Sequence, residues 1–389
     1  MSIIVKKFGG TSVESIEKIK RIADHLAFEK EKGDDIVVVV SAMGKTTDAL
    51  FKLAYEIIEH PDQREMDMLL TAGERITMAL LSISLQKLNI KSISFTGSQS
   101  GIITDNSHGN AKILTVNAFR ILEELKKGKI VIVAGFQGVS VQKEITTLGR
   151  GGSDTTAVAI ASYLNAHKCE IFTDVDGVFQ LDPNRFDNAK KIDKLCYEEM
   201  LFLAYSGAKV LHSRAAEFAY KYKIPLEVKN SNSVETRDNM SINNEGTMIN
   251  DFNENSEIKA VSIKDNILIY DITIPENNLP LFSTEIYDIE IISPYFAKAY
   301  ISANNKQQFI LEMKNNNIDY TSNEALYTVI NLLGYRIHKD IAFINLLYKK
   351  LKEICKDTFS IKNQGIGIQI CVTNVDSENV TKNINQIME

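Results

Sequence analysis

Tryptophan is absent from this chain of 389 residues, and cysteine is scarce. The cysteines, Cys169, Cys196, Cys355 and Cys371, lie far apart and form no C-x-x-C pair. That spacing argues against a disulfide framework or a cysteine zinc site and fits free thiols in a reducing, cytoplasmic compartment. An excess of positive charge is also missing. The 44 Lys and Arg against 50 Asp and Glu leave a net charge of −6, which weighs against nucleic acid or an anionic membrane surface as partner. No apolar run approaches the ~20 residues that a membrane span needs. The apolar part of "MSIIVKKFGG" is too short for a signal peptide and meets no small-residue cleavage site. The histidines fall at no metal-ligand spacing, so no protein-borne metal site is expected. What is present is ordinary for a globular chain: 44% hydrophobic and 24% charged, with length for two or three domains and a sizeable core.

Along the chain, apolar periodicity switches repeatedly between strand and helix. "SIIVKKF" (2–8) is β-rich and ends at Gly9-Gly10. Val13, Ile16, Ile19, Ala23 and Leu26 then recur at helical spacing, with Thr11 and Glu14 as a capping box and Gly33 as the stop. "DIVVVVSA" (35–42) reads as a strand buried on both faces. Helices are predicted near 46–59, 64–88, 111–127, 153–165 and 196–222, and strands near 91–95, 129–136, 169–174 and 224–230. This alternation predicts an α/β domain with a mostly parallel sheet sandwiched between helices, over residues 1–232. Residues 233–257 are polar and Asn-rich, a connector. Residues 321–389 carry a strand at 326–335, an amphipathic helix at 339–355, a strand at 366–374 and a helix at 377–388. That texture suits a small α+β module. On the first of these helices Ile341, Ile344, Leu347 and Leu351 form one apolar stripe. Residues 258–320 read as strands without a long helix, a partial copy of the same module.

Several stretches carry possible chemistry. In "KKFGGTS" (6–12), a strand, two glycines and a helix start could cradle phosphate on backbone N–H groups, with Lys7 beside it; a plain β–α turn uses glycine in the same way. "SAMGKTTDA" (41–49) imitates the end of a phosphate-binding P-loop, but Val39 stands where that motif needs glycine. Thr46, Thr47 and Asp48 there offer hydroxyls and a helix cap. "TAGERI" (71–76) puts Glu74 and Arg75 in an apolar helical neighbourhood, where a surface ion pair is the plain reading. "TTLGRGGSDTTAVAIA" (146–161) surrounds Arg150 with glycines ahead of a helix that Ser153 and Asp154 would cap. An arginine fork among amides fits a carboxylate or a phosphate. "FTDVDGVFQLDPNR" (172–185) places Asp174, Asp176 and Asp182 past a strand end, the edge where open α/β sheets bind ligands; aspartate in a turn is the alternative.

Taken in order, "KKFGGTS", "SAMGKTTD", "TAGERI", "LGRGGSDTTAVAIA", "FTDVDGVFQLDP", "YEEMLFLAYSGAKVLHSRA" and "NNEGTMI" resemble the aspartokinases of the amino acid kinase family. The likeness spans nearly all of residues 3–250. It implies a catalytic domain followed by paired ACT regulatory modules. The module at 258–320 would be degenerate, because the family's Asp-x-Pro-Gly turn and following helix are replaced by "PENNLPLFSTEIYDIEII". Ser213 stands where the family often has proline, and Phe179 where tyrosine is common.

The resemblance implies transfer of the ATP γ-phosphoryl group to L-aspartate, with magnesium, giving 4-phospho-L-aspartate and ADP. Lys7 and Asp154 would be catalytic. Ser41, Thr47, Glu74, Arg150, Gly151 and Ser153 would hold aspartate. Lys7, Gly9, Gly10, Thr173, Asp174, Phe179, Asp182, Lys209 and Val210 would hold the nucleotide. A homodimer through the C-terminal module and weak feedback by lysine or threonine are expected. A related kinase acting on N-acetylglutamate or uridylate, and a catalytically dead amino-acid sensor, are the alternatives. Glu74, which calls for a free ammonium, and the ACT-like tail argue against the first; intact Lys7, Arg150 and Asp154 argue against the second.

Overall fold

The computed structural model of the protein describes residues 2–208, 210–234, 246–251, 258–274, 284–334, 337–355 and 359–388. They belong to two compact units, one of residues 1–205 with 209–253 and the other of residues 206–208 with 254–389.

In the first unit the chain runs β1 (Ile3–Phe8), α1 (Ile16–Glu31), β2 (Asp35–Val40), α2 (Thr46–Ile57), α3 (Gln63–Leu70), α4 (Ala72–Lys87), β3 (Ser92–Phe95), β4 (Ile102–Thr104), β5 (Ile113–Val116), α5 (Phe119–Lys126), β6 (Ile130–Ala134), β7 (Gln137–Ser140), β8 (Ile145–Thr147), α6 (Gly152–Tyr163), β9 (Lys168–Thr173), β10 (Lys194–Cys196), α7 (Tyr197–Tyr205), α8 (Ser213–Tyr222), β11 (Leu226–Asn230) and β12 (Thr247–Asn250). Eight strands form one sheet in the order β10-β12-β11-β9-β1-β2-β6-β3. Every pairing is parallel except that of β11 with β12. The valines and isoleucines of β2 and β6 are buried because both faces of the sheet are covered. On one face Ile19, Ile22 and Leu26 of α1 and Leu81 and Leu85 of α4 pack against Phe8, Val38, Val40 and Ile132. On the other lies α6, buried from Gly152 through Ser162; its Ala, Ser and Thr side chains let it lie close to β1, β2 and β9. A smaller sheet, β5-β4-β7-β8, delivers the chain from β8 into the glycine loop ahead of α6.

Four local expectations are corrected, the first being the helix at 196–222, which is two helices, α7 ending at Tyr205 and α8 starting at Ser213. Ser15, not Thr11, caps α1, its Oγ accepting from the Lys18 N–H at 3.3 Å, because residues 10–13 first make a short 3-10 turn. Residues 111–127 begin as β5, paired antiparallel to β4, and turn helical only at Phe119. The helical run 64–88 breaks at Thr71 into α3 and α4. The run Gln63–Lys87 has the length and mean hydropathy, 1.3, of a membrane span, but half of its most apolar window is buried in the protein. It is a pair of core helices.

The second unit comprises β13 (Ile258–Thr273), β14 (Ile286–Ser293), β15 (Phe296–Ser302), α9 (Lys306–Asn315), β16 (Tyr320–Thr321), β17 (Tyr327–Gly334), α10 (Ile341–Ile354), β18 (Ser360–Asn363), β19 (Gly367–Thr373) and α11 (Asn374–Met388). They share one sheet, ordered β14-β15-β13-β17-β19-β18, with β16 added on β13. The long β13 joins the two halves: residues 258–264 pair with β17, residues 267–273 with β15, and the register shifts between Lys264 and Ile267. Helix α9 corrects the reading of 258–320 as strands without a long helix, for Phe309 and Met313 anchor it on Leu268, Tyr270 and Ile272. The replaced turn begins in residues 275–283, which lie outside the described residues. Of the stripe on α10, Leu347 and Leu351 are buried while Ile341 is 74% exposed.

Candidate active site

Adjacent lysines of β1 serve opposite faces of the sheet, as the two-residue period of a strand requires. Lys6 points to the α1 face and is buried against Glu29 and Glu170. Lys7 points to the α6 face, where its Nζ lies 2.6 Å from Asp154 Oδ1. Phe8 stacks on Phe172 behind them, ring centroids 4.6 Å apart, stiffening the strand ends that carry the site.

Glu74 lies in the first turn of α4 and is buried, so a surface ion pair with Arg75 is not its role. A Cβ on Gly73 would stand 2.7 Å from the Ala42 Cβ, so only glycine lets α4 come this close to the loop after β2. The Ala42 N–H donates to Glu74 Oε1 at 3.1 Å. Oε2 is buried without a hydrogen-bond partner among the described residues. Burial pushes the carboxyl up to about 7, against the partial help of backbone N–H groups from Glu74 and Ala42.

The glycine loop has a geometric cause. Gly151 is the N-cap of α6 at φ 65°, and a Cβ there would come 2.1 Å from the His212 ring. Ser153 and Asp154 therefore sit inside the first turn rather than capping it. The Ser153 Oγ occupies space 2.8 Å from where a Cβ on Gly135 would be, so the serine needs a glycine beneath it.

These elements border a cleft of about 750 Å³ that brings together Lys7, Gly10, Ser41, Thr47, Glu74, Arg150, Gly151, Ser153 and Asp154. A cation, a carboxylate with a free oxygen, an arginine and a helix N-terminus thus share one space, which suits an amino acid beside a phosphoryl group. The other expected nucleotide contacts among the described residues do not line this cleft. The Gly9 N–H donates to the Phe172 carbonyl at 3.3 Å, and the Thr173 hydroxyl to Asp174 Oδ1 at 3.1 Å. Phe179 pairs with Lys191 in an isolated bridge, and Asp182 Oδ1 accepts from the Asn184 N–H at 2.9 Å, a turn role. Val210 is half-buried ahead of α8, and Lys209 lies outside the described residues. Among the described residues no group of three or more His, Cys, Asp or Glu is placed to hold a metal.

The cleft also exposes what sequence reading missed. Asp67, Thr147, Gln63 and Phe136 line it, and Arg214 of α8 braces the glycine loop by donating to the Leu148 carbonyl. Asp67 and Glu74 are seven residues apart in an apolar run, a helical spacing that places both on one face and could have pointed to Asp67.

Residues 2–230 match the model of the amino acid kinase family, and the chain belongs to that family. Within it, the curated relatives it matches are aspartokinases. An aspartokinase of Geobacillus stearothermophilus is 58% identical over 231 residues, 59% of this chain and 57% of that enzyme. Aspartokinase 2 of Bacillus subtilis (strain 168) is 51% identical over 267 residues, 69% of this chain and 64% of that one. The chain thus spans under two thirds of the length of both. The fold extends further. E. coli aspartokinase III in complex with aspartate and ADP superposes with a TM-score of 0.79 at 22% identity, covering 97% of this chain and 98% of that one. Clostridium acetobutylicum aspartate kinase does so with a TM-score of 0.72 at 20% identity, covering 99% and 100%.

Proposed function

We propose that the protein is an aspartate kinase, transferring the ATP γ-phosphoryl group to the β-carboxylate of L-aspartate. The observation that carries this reading is Glu74: a buried carboxylate whose Oε2 has no partner among the described residues, facing the same cleft as Arg150. An acceptor amino acid supplies the missing ammonium to one and an α-carboxylate to the other. N-acetylglutamate and uridylate carry no free ammonium and would leave Glu74 unpaired.

The β-carboxylate is ionised at neutral pH, its ordinary pKa being about 4, so no general base is required. One of its oxygens forms a bond to the γ-phosphorus as the bond from that phosphorus to the β–γ bridging oxygen breaks, and ADP leaves with the electron pair. The task is to bring two anions together and to stabilise the charge on the transferring group. Lys7 supplies that charge, oriented by Asp154, with the amide of Gly10 alongside; the Gly9 N–H is already given to the Phe172 carbonyl. Thr47, Ser41, Gly151 and Ser153 complete the aspartate subsite. Thr173, Asp174, Phe179, Asp182, Lys209 and Val210 are assigned to the nucleotide. Magnesium, bound mainly by the nucleotide phosphates, would supply further charge neutralisation on the transferring group. A homodimer held by the second unit is part of the proposal. Apolar Ile291, Ile292, Tyr295 and Phe296, each more than half exposed at the β14–β15 hairpin, support it. A coupled ADP-release assay with aspartate, N-acetylglutamate and UMP tests the acceptor. Turnover with aspartate alone is expected; turnover with either other acceptor, or with none, refutes the reading.

A further inference from the structure

The Asp67 carboxylate is wholly buried in the wall of the cleft, and protein donors surround both of its oxygens. Its Oδ2 lies 2.6 Å from His108 Nδ1, and its Oδ1 accepts from the Thr147 hydroxyl at 2.5 Å. The Gly109 N–H reaches both oxygens, at 3.1 and 3.2 Å. A carboxylate only accepts, so His108 carries a proton on Nδ1. Met66 and Leu70 already supply the apolar packing of this stretch of α3. Burying an acid here costs free energy unless the donors it gathers matter.

Those donors belong to two pieces of chain that frame Arg150. Thr147 ends β8, three residues before the arginine. His108 and Gly109 lie in the connection between β4 and β5, which is laced to the same loop. The Ala111 N–H donates to the Thr147 carbonyl at 2.9 Å. Arg214 donates to the Ala111 carbonyl at 2.7 Å, to Asn110 Oδ1 at 3.1 Å and to the Leu148 carbonyl. A loop with glycine at 149, 151 and 152 has little stiffness of its own. It is fixed at its far end by α6 and at its near end by this network.

We propose that Asp67 is a positioning residue for the amino acid substrate: through His108, Gly109 and Thr147 it sets the loop that presents Arg150 opposite Glu74. The proposal rests on the aspartate kinase reading. Asp67 touches no substrate, since its oxygens are taken, and it sits on the acceptor side of the cleft, so its loss weakens aspartate and spares the nucleotide.

The test is steady-state kinetics of the full chain as wild type, Asp67→Asn, His108→Phe and His108→Asn. In the first and second variants the aspartate KM is expected to rise at least about tenfold, with kcat falling less and the ATP KM moving under about twofold. His108→Asn, whose amide N–H replaces the ring N–H, is expected to return the aspartate KM to within about threefold of wild type. A purely structural role would lower Tm and kcat together at unchanged KM, and that result, or an asparagine no better than phenylalanine, overturns the proposal. Wild-type enzyme that fails to phosphorylate aspartate overturns the functional reading and this one with it; active wild type with unmoved variants overturns this one alone.

Discussion

At the scale of single residues the proposed chemistry falls on Lys7 and Glu74, and each makes a separable demand. In the proposed reaction Lys7 meets charge that develops mainly in the transition state, so Lys7→Ala is expected to lower kcat at least ~100-fold with a smaller change in aspartate KM. Near-normal turnover in the folded variant would remove Lys7 from the mechanism. Glu74 must be ionised to take an ammonium, and burial raises its carboxyl to about 7. Aspartate kcat/KM is therefore expected to fall about tenfold per pH unit as pH drops below 7, a limb that Glu74→Gln should lack. The same shift has a stability side. An acid whose folded value lies above its usual 4.5 stabilises the fold below that value and loses the contribution as pH rises through about 7. Glu74→Gln should thus be more stable than its parent at pH 8 in the absence of substrate, by up to about 3 kcal/mol. That Lys7 and Arg150 would border one cleft was legible from their glycine neighbours. The burial of Glu74 was not, because the contact that buries it is made by Gly73 against Ala42, thirty-one residues away in sequence and adjacent only once α4 packs.

Among the elements, β1, β9 and β11 carry a charged row beneath the site. Glu170 of β9 meets Lys6, Lys168 and Lys229, while Glu227 of β11 meets Lys168 and Lys229. Burial alone would raise the Glu170 carboxyl; the lysines outweigh it and hold it well below the usual range. Such a group stabilises the fold above its unfolded value near 4.5 and loses that contribution as pH falls. Glu170→Gln leaves Lys6 buried beside Glu29 alone, and chemical denaturation at pH 7 should show a loss of about 3–5 kcal/mol. A loss under about 1 kcal/mol would rank the row with exposed ion pairs. The Val-rich β2 and β6 were plain in the sequence because a strand buried on both faces is uniformly apolar. The row was not: a lysine in a strand looks like a solvated position until the register puts Lys6 opposite Glu170. The β4–β5 hairpin was missed for a related reason. Its strands are too short for a period to show, and Leu114 lies on the exposed side.

Over the whole molecule, the alternation of strands and helices gave away most of the first unit, although the expected connector 233–257 supplies β12 to its sheet, while the second was only half legible, since α9 escaped notice and β13 serves both halves of one sheet. No glycine occurs between Gly246 and Gly334, so the close backbone approach that an effector's carboxylate and ammonium need has no glycine turn in the first half of that sheet. Lysine, threonine and their mixture, titrated at aspartate near KM, are therefore expected to inhibit with midpoints above about 1 mM. Tighter inhibition would mean that other residues build the site. The central claim concerns the product itself. An acyl phosphate reacts with hydroxylamine to give a hydroxamate, whereas a phosphate ester or simple ATP hydrolysis gives none. With ATP, magnesium and hydroxylamine present, aspartate is expected to yield aspartyl β-hydroxamate in step with ADP; ADP release without hydroxamate, or hydroxamate formed from N-acetylglutamate instead, would contradict the account.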